Sequence, residues 1–176
     1  MKRIMLICSS LILGTGAVSA QTNSEPNSEI TKRNSWLKVG INAGMPLGDA
    51  SDWSSFTGGV DVSGQFMVTN HFGLGLSTGY NHFFAKDPFS DFGTIPANLL
   101  LRYYPKEKGF FAGVDGGYTF YTNVTGETGG FNVKPELGYH NYSWNFYAYY
   151  NHIFGSAPMI DIQTVGIAAS YNIRFR

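Results

Sequence analysis

From residue 37 onward apolar and polar side chains alternate with a period of two almost to the end of the chain. Leu37, Val39, Ile41, Ala43 and Met45 oppose Lys38, Gly40, Asn42 and Gly44, and Val60, Val62, Phe66 and Val68 oppose Asp61, Ser63, Gln65 and Thr69. Leu74, Leu76 and Tyr80 face away from Gly73, Gly75, Ser77, Gly79 and Asn81, and Ile95, Ala97, Leu99, Leu101 and Tyr103 from Thr94, Asn98 and Arg102. A fifth run sets Ala112, Val114, Tyr118 and Phe120 against Gly113, Asp115, Gly117 and Thr119. A sixth sets Phe131, Val133, Leu137 and Tyr139 against Asn132, Lys134, Glu136, Gly138 and His140. The seventh, Trp144 to Ile153, is less regular because Tyr147 and Tyr149 put aromatics on both faces. The eighth is clean, with Val165, Ile167, Ala169, Tyr171, Ile173 and Phe175 against Thr164, Gly166, Ala168, Ser170, Asn172 and Arg174. Alternation of this kind predicts eight strands, each with one apolar face.

The connections alternate in length. Short ones fall at Asn70-His71, Pro105 to Gly109 and Asn141-Tyr142; longer ones at Leu47 to Thr57, Ala85 to Gly93, Thr122 to Gly130 and Phe154 to Ile162. Short turns on one side and longer loops on the other are the rhythm of an outer-membrane barrel, periplasmic turns against extracellular loops. An even number of strands also returns both ends of the domain to the periplasmic side.

Composition sharpens the choice. Only 14% of residues are charged, 16% are aromatic and 22 are glycine, whereas a soluble domain is about 25% charged. No apolar run after the first twenty residues approaches the roughly 20 residues of a spanning helix. Helices and closed barrels are the structures that satisfy every backbone group in lipid, so the reading is an all-β, eight-stranded antiparallel up-and-down transmembrane β-barrel. A soluble lipocalin-like barrel, with its apolar face inward, is the rival fold. Side-chain size argues against it: the polar face of the eighth run is Thr, Gly, Ala, Ser, Asn and Arg, and that of the third is mostly glycine. A solvated exterior has no need of small residues, but the interior of an eight-stranded barrel has room for little else.

Residues 1–20 read as an export signal, with Lys2 and Arg3 ahead of the apolar stretch Ile4 to Leu13 and Ala17-Val18-Ser19-Ala20 before the cut. Cys8 lies within it, so the mature chain offers neither a disulfide nor a thiol nucleophile. Residues 21–34 are polar and unpatterned, a flexible periplasmic tail, and residues 35–176 form the barrel. The mature charge is slightly acidic, and no basic patch points to nucleic acid.

Aromatics gather at both ends of the strands: Trp36, Phe72, Tyr103, Phe110, Tyr139, Trp144 and Phe175 on the turn side, Tyr80, Phe83, Phe84, Tyr121, Phe131 and Phe154 on the loop side. Two girdles at the membrane interfaces are expected from them. By parity Lys38, Asp61, Arg102, Asp115, Lys134, Glu136 and Arg174 face the lumen, four cations against three anions. Isolated charges there are costly, so a network of ion pairs filling the lumen is expected. A narrow ion path is the competing reading of the same residues.

The chain resembles the small outer-membrane proteins of the OmpX and OmpA-barrel type, and more closely the broad family with an outer membrane protein beta-barrel domain. The resemblance spans roughly Ser35 to Arg176 and is carried by FGLGLSTGY (Phe72 to Tyr80), IPANLLLRYYP (Ile95 to Pro105), GFFAGVDGGY (Gly109 to Tyr118) and the terminal VGIAASYNIRF. It implies outer-membrane lipid and lipopolysaccharide as surroundings, a monomer, and a C-terminal aromatic signal read by the barrel-assembly machinery. Tyr171 and Phe175 suit that signal, although Arg176 follows Phe175. The family shares no catalytic motif, so the resemblance implies location and fold, with a structural or interaction role and neither catalysis nor cofactor. Transport through a narrow pore, or of hydrophobic molecules, is the alternative.

Other motifs carry less. Gly73-Leu74-Gly75 and Gly113 to Gly117 lack the following helix that a phosphate cradle needs. His71, His82, His140 and His152 show no metal-ligand spacing. His82 and His152 fall near the loop ends on the lipid-facing parity. Asp87, Ser90 and Asp91 lie near His82, a loose likeness to the histidine-and-acid sites of lipid A-modifying barrels.

Overall fold

A computed structural model describes residues 35–124, 128–155 and 161–175, with side chains placed up to Ile173. The export signal and the polar tail lie outside the described residues. Eight strands run β1 (Ser35–Leu47), β2 (Ser54–Met67), β3 (Phe72–Ala85), β4 (Phe92–Tyr103), β5 (Gly109–Thr122), β6 (Gly129–His140), β7 (Trp144–Ile153) and β8 (Ile162–Phe175). Each pairs antiparallel with its neighbour in sequence, and β1 pairs with β8 from Ser35↔Phe175 to Leu47↔Gln163, so the sheet is a closed barrel in simple up-and-down order. Closure leaves no unpaired edge, which is what a lipid environment requires.

The short turns are held by local side chains. Thr69 Oγ1 accepts the Phe72 N–H at 2.9 Å, and Asn141 Oδ1 accepts the N–H groups of Ser143 and Trp144 at 2.9 and 2.8 Å. Short polar side chains at these positions replace ladder bonds and reverse the chain within a few residues. At the loop end the first connection is tighter than the sequence predicts. It contains a single helical turn, α1 (Ala50–Trp53), and β2 already begins at Ser54. Ala50 of α1 is buried over the barrel mouth.

The predicted faces hold. Ile41, Leu76, Leu99, Leu137 and Ile167 stand out from the wall, each more than 60% exposed, while Lys38, Asn98, Arg102, Asp115 and Glu136 are buried inside. Tyr147 and Tyr149 are both inward, so the irregular seventh run obeys the alternation: Trp144, Phe146, Ala148 and Tyr150 form its outer face. Bulky tyrosines here fill lumen that small residues leave open elsewhere.

The girdle assignment needs correction at three residues. Trp36 and Phe83 are inward and buried, and Tyr121 packs against buried residues at the loop end. The remaining described members of both groups, among them Phe72, Tyr103, Phe110, Phe84, Phe131 and Phe154, are exposed on the outer wall. Parity rather than residue type decides: Trp36 lies two residues from Lys38, and Phe83 two from Asn81, both inward positions. The Phe175 side chain lies outside the described residues.

Candidate functional site

Three layers fill the lumen. At the turn end Trp36, Met67, Tyr104 and Phe111 form a buried apolar cluster with Tyr147 against it. Trp36 meets the Tyr104 ring edge-on at 5.9 Å between centroids. At the loop end Ala50, Phe83, Phe92, Ile153 and Ile162 form a second cluster, flanked by Trp53, Tyr121 and Val124. Phe83 and Phe92 stack there at 4.6 Å.

Between these plugs lie the predicted charges. Arg102 is the hub: Nη1 donates to Asp115 Oδ1, and Nε donates to Glu136 Oε1 at 2.6 Å. Asp115 Oδ2 takes Ser77 Oγ–H at 2.9 Å and faces Lys134 Nζ at 3.6 Å. Glycine makes this possible, because a Cβ on Gly113 would stand 2.5 Å from Arg102 Cδ. Asp61 accepts from Asn42 Nδ2 at 2.8 Å and shares a small chamber with Lys134. Lys38 lines the turn-side chamber with Asp61 and Glu136 but bonds elsewhere: its Nζ donates to Tyr104 OH at 2.8 Å and lies 5.6 Å from the Trp36 ring centre. Tyr104 OH donates in turn to Gln65 Oε1 at 3.0 Å. The structure thus gathers Arg102, Asp115, Lys134 and Glu136 into one network, sets Asp61 beside it and places Lys38 in the turn-end plug. Arg174 pairs through its backbone with Trp36, and its side chain lies outside the described residues.

Among the described residues the space left over around the network is small. Two chambers flank the network, one toward each plug, and each holds about 20 Å³. That is room for about one water. Thr57 Oγ1 and Thr164 Oγ1 border one of them without a partner among the described residues.

A second arrangement was only partly visible in the sequence. Outside the wall at the loop end, His82 Nε2 lies 3.2 Å from Asp91 Oδ2 and His82 Nδ1 lies 3.2 Å from Tyr80 OH. Asp91 Oδ1 also accepts the Ala85 N–H at 2.8 Å. Of the three neighbours considered for His82, the structure brings Asp91 to it. A like arrangement recurs on β7 and β8, where Tyr150 OH also donates to Gln163 Oε1 at 2.9 Å. There His152 Nε2 lies 2.9 Å from Asp161 Oδ2, His152 Nδ1 lies 3.3 Å from Tyr150 OH, and Asp161 Oδ1 accepts the Gly155 N–H at 2.9 Å. The signal was an internal repeat: Tyr80-Asn81-His82-Phe83-Phe84 with Asp91-Phe92 matches Tyr150-Asn151-His152-Ile153-Phe154 with Asp161-Ile162, seventy positions on. The pairing repeats too, with His82↔Gly93 and Phe83↔Phe92 answering His152↔Gln163 and Ile153↔Ile162. Two strands separate the hairpins on either side, so they stand opposite each other around the barrel.

No family model and no curated protein matches the chain; solved structures do. The N-terminal β-barrel domain of Pseudomonas aeruginosa OprF is 16% identical with a TM-score of 0.51, over 77% of this chain and 97% of that one. Neisserial surface protein A is 12% identical with a TM-score of 0.54, over 80% and 97%. Ail, the attachment invasion locus protein of Yersinia pestis, is 12% identical with a TM-score of 0.51, over 80% and 98%. The fold is that of a small outer-membrane barrel. At these identities the likeness carries the fold, and the side chains inside and outside the wall are this chain's own.

Arg102→Met strands two buried carboxylates and should cost about 3–5 kcal/mol, read from urea unfolding in lipid vesicles. Adding Asp115→Asn and Glu136→Gln should recover most of that loss; a single-variant cost under about 1 kcal/mol would deny the hub. The exposed clasps titrate separately. The Ala85 and Gly155 N–H bonds, and then His82 and His152, hold Asp91 and Asp161 below the ordinary aspartate value of 3.8. A carboxyl depressed by folding stabilises the loop above its unfolded value and loses that contribution as pH falls through the folded one. The amide signals of Ala85 and Gly155 should therefore shift together in an NMR titration, with midpoints below 3.8; midpoints at or above it count against the clasps.

Proposed function

We propose that this chain is an integral outer-membrane protein with a structural or interaction role and a lumen that does not conduct. The sealing of the interior supports the reading: an ion-paired layer lies between two apolar plugs. A conducting path needs a continuous polar route, and here the polar chambers end against Phe83, Phe92, Ile153 and Ile162 on one side and Trp36, Met67 and Phe111 on the other. Breaking the network to admit an ion would also desolvate Asp115 and Glu136 without Arg102, an expensive step.

The apolar outer wall takes outer-membrane lipid and lipopolysaccharide as its solvent, with the turns in the periplasm and the loops outside. The protein acts as a monomer, and its loops are the surface left for contacts. Tyr171, exposed on the wall with Trp144 packed 5.2 Å away, and Phe175 serve as the signal to the barrel-assembly machinery. We assign it no catalysis, cofactor or nucleic-acid partner. A planar-bilayer recording of the refolded protein should show no stable openings; reproducible, ion-selective steps would replace this reading with the narrow pore.

A further inference from the structure

Two prolines stand inside strands of the closed wall, Pro96 in β4 and Pro135 in β6. Proline has no N–H to give a ladder, so the middle of a sheet is an unusual place for it. Both are paired on the β5 side, as Pro96↔Thr119 and Val114↔Pro135. On the other side the ladder breaks. Between β3 and β4 pairing stops at Thr78↔Ala97 and resumes in the same register at Asn81↔Thr94. Between β6 and β7 it stops at Glu136↔Tyr149 and resumes at Val133↔His152. The carbonyls opposite the prolines, Gly79 and Tyr150 by register, thus lose their ladder donors in a wall set in lipid. The repeat seventy positions on supplies a control. Gly166 stands where Pro96 does, and β7–β8 pairing runs unbroken from Trp144↔Tyr171 to Ile153↔Ile162.

The two gaps bound one block of the wall. β4, β5 and β6 pair with each other without a break. The ion pairs of Arg102 with Asp115 and Glu136, and of Lys134 with Asp115, lie wholly within that block. On the loop side of the prolines few bonds tie it to its neighbours. Asn81↔Thr94, His82↔Gly93 and Phe83↔Phe92 hold it to β3, and Asn132↔Ile153 and Val133↔His152 hold it to β7. The Phe83–Phe92 stack, an Asn132–Asn151 bond of 3.5 Å and the Phe154 N–H to Phe131 O at 2.7 Å add to them. The outermost tie is at the corner. Asp91, the residue before β4, accepts the Ala85 N–H at 2.8 Å and meets His82 Nε2 at 3.2 Å, both from β3. Its twin Asp161 makes like bonds across a seam that is already whole. We infer that the loop-end part of β4–β5–β6 is a hinged panel, freed along both sides by Pro96 and Pro135 and latched to β3 by Asp91. The loop-side chamber lies along its inner face, with Thr94 and Lys134 on the panel and Asn81, Tyr149 and Asn151 opposite, so unlatching widens that chamber. On the turn side of the prolines both seams stay paired, and Arg102 stays enclosed.

The panel is a property of the barrel wall and does not depend on whether the lumen conducts. Amide exchange followed by NMR in lipid nanodiscs tests it, with boiled and unboiled gel migration of each variant to report folding. In the unsubstituted protein the Thr94 amide should exchange roughly tenfold or more faster than its twin Thr164, and Val133 should resemble Thr94. Pro96→Ala, which restores the missing N–H, should bring Thr94 close to the Thr164 rate. Asp91→Asn should speed Thr94 further, while Asp161→Asn changes Thr164 far less. Added to Pro96→Ala, Asp91→Asn should lose most of its effect. Equal rates at Thr94 and Thr164 in the unsubstituted protein overturn the panel, and that comparison needs no variant to fold. A Thr94 rate that Pro96→Ala leaves unchanged in a folded barrel also overturns it. Asp91→Asn and Asp161→Asn acting alike, each on its own seam, overturn the latch.

Discussion

Closure of the sheet between β1 and β8 is the constraint from which the rest of this structure follows. A strand edge in lipid would leave backbone N–H and C=O groups unsatisfied, at several kcal/mol for each group. Thirteen residue pairs from Ser35↔Phe175 to Leu47↔Gln163 remove that edge. Eight strands closed in this way leave an interior only wide enough for side chains. Small inward residues are therefore forced wherever a large group must lie across the lumen, as Gly113 makes way for Arg102. Charges admitted to such a space need partners, and Arg102 serves two carboxylates because the barrel brings β4, β5 and β6 side by side.

The interior is also asymmetric along its axis. Lys38 is satisfied by Tyr104 and Asn145 rather than by a carboxylate, and it sits beneath the Trp36 and Tyr104 rings. The turn-end plug thus combines aromatic packing with one cation, whereas the loop-end plug is almost wholly apolar. The same hairpins that supply Phe83, Phe92, Ile153 and Ile162 to that plug carry the histidine–aspartate clasps on their outer face. Period-two alternation lets one short sequence do both, sealing the lumen with one parity and presenting polar groups outside with the other.

Much of this was legible in the chain. Strand number, order, facing and lumen charges follow from alternation, because a one-residue slip would expose Lys38 or Arg102 to lipid and every strand resists it. Residue type misled where it was used in place of parity: Trp36, Phe83 and Tyr121 read as interface aromatics, yet their positions turn them inward. The partner of each charge was not legible, since pairing depends on register across strands, and nothing local says that Arg102 reaches both Asp115 and Glu136. The twin hairpins stand in the sequence as a repeat seventy positions apart, masked by the divergence of the strands between the two copies and by the period-two alternation that runs through both.

On the proposed reading a wall that faces lipid surrounds a lumen that admits neither lipid nor bulk water. Paramagnetic relaxation along β4 in nanodiscs tests it directly, with one probe dissolved in the lipid and another in the water. Leu99 and Leu101 side-chain signals should be broadened by the lipid probe alone, and Leu100 and Arg102 by neither. Broadening of Leu100 and Arg102 by the water-soluble probe would mean an open channel, and broadening of Leu99 by it would mean a barrel turned inside out.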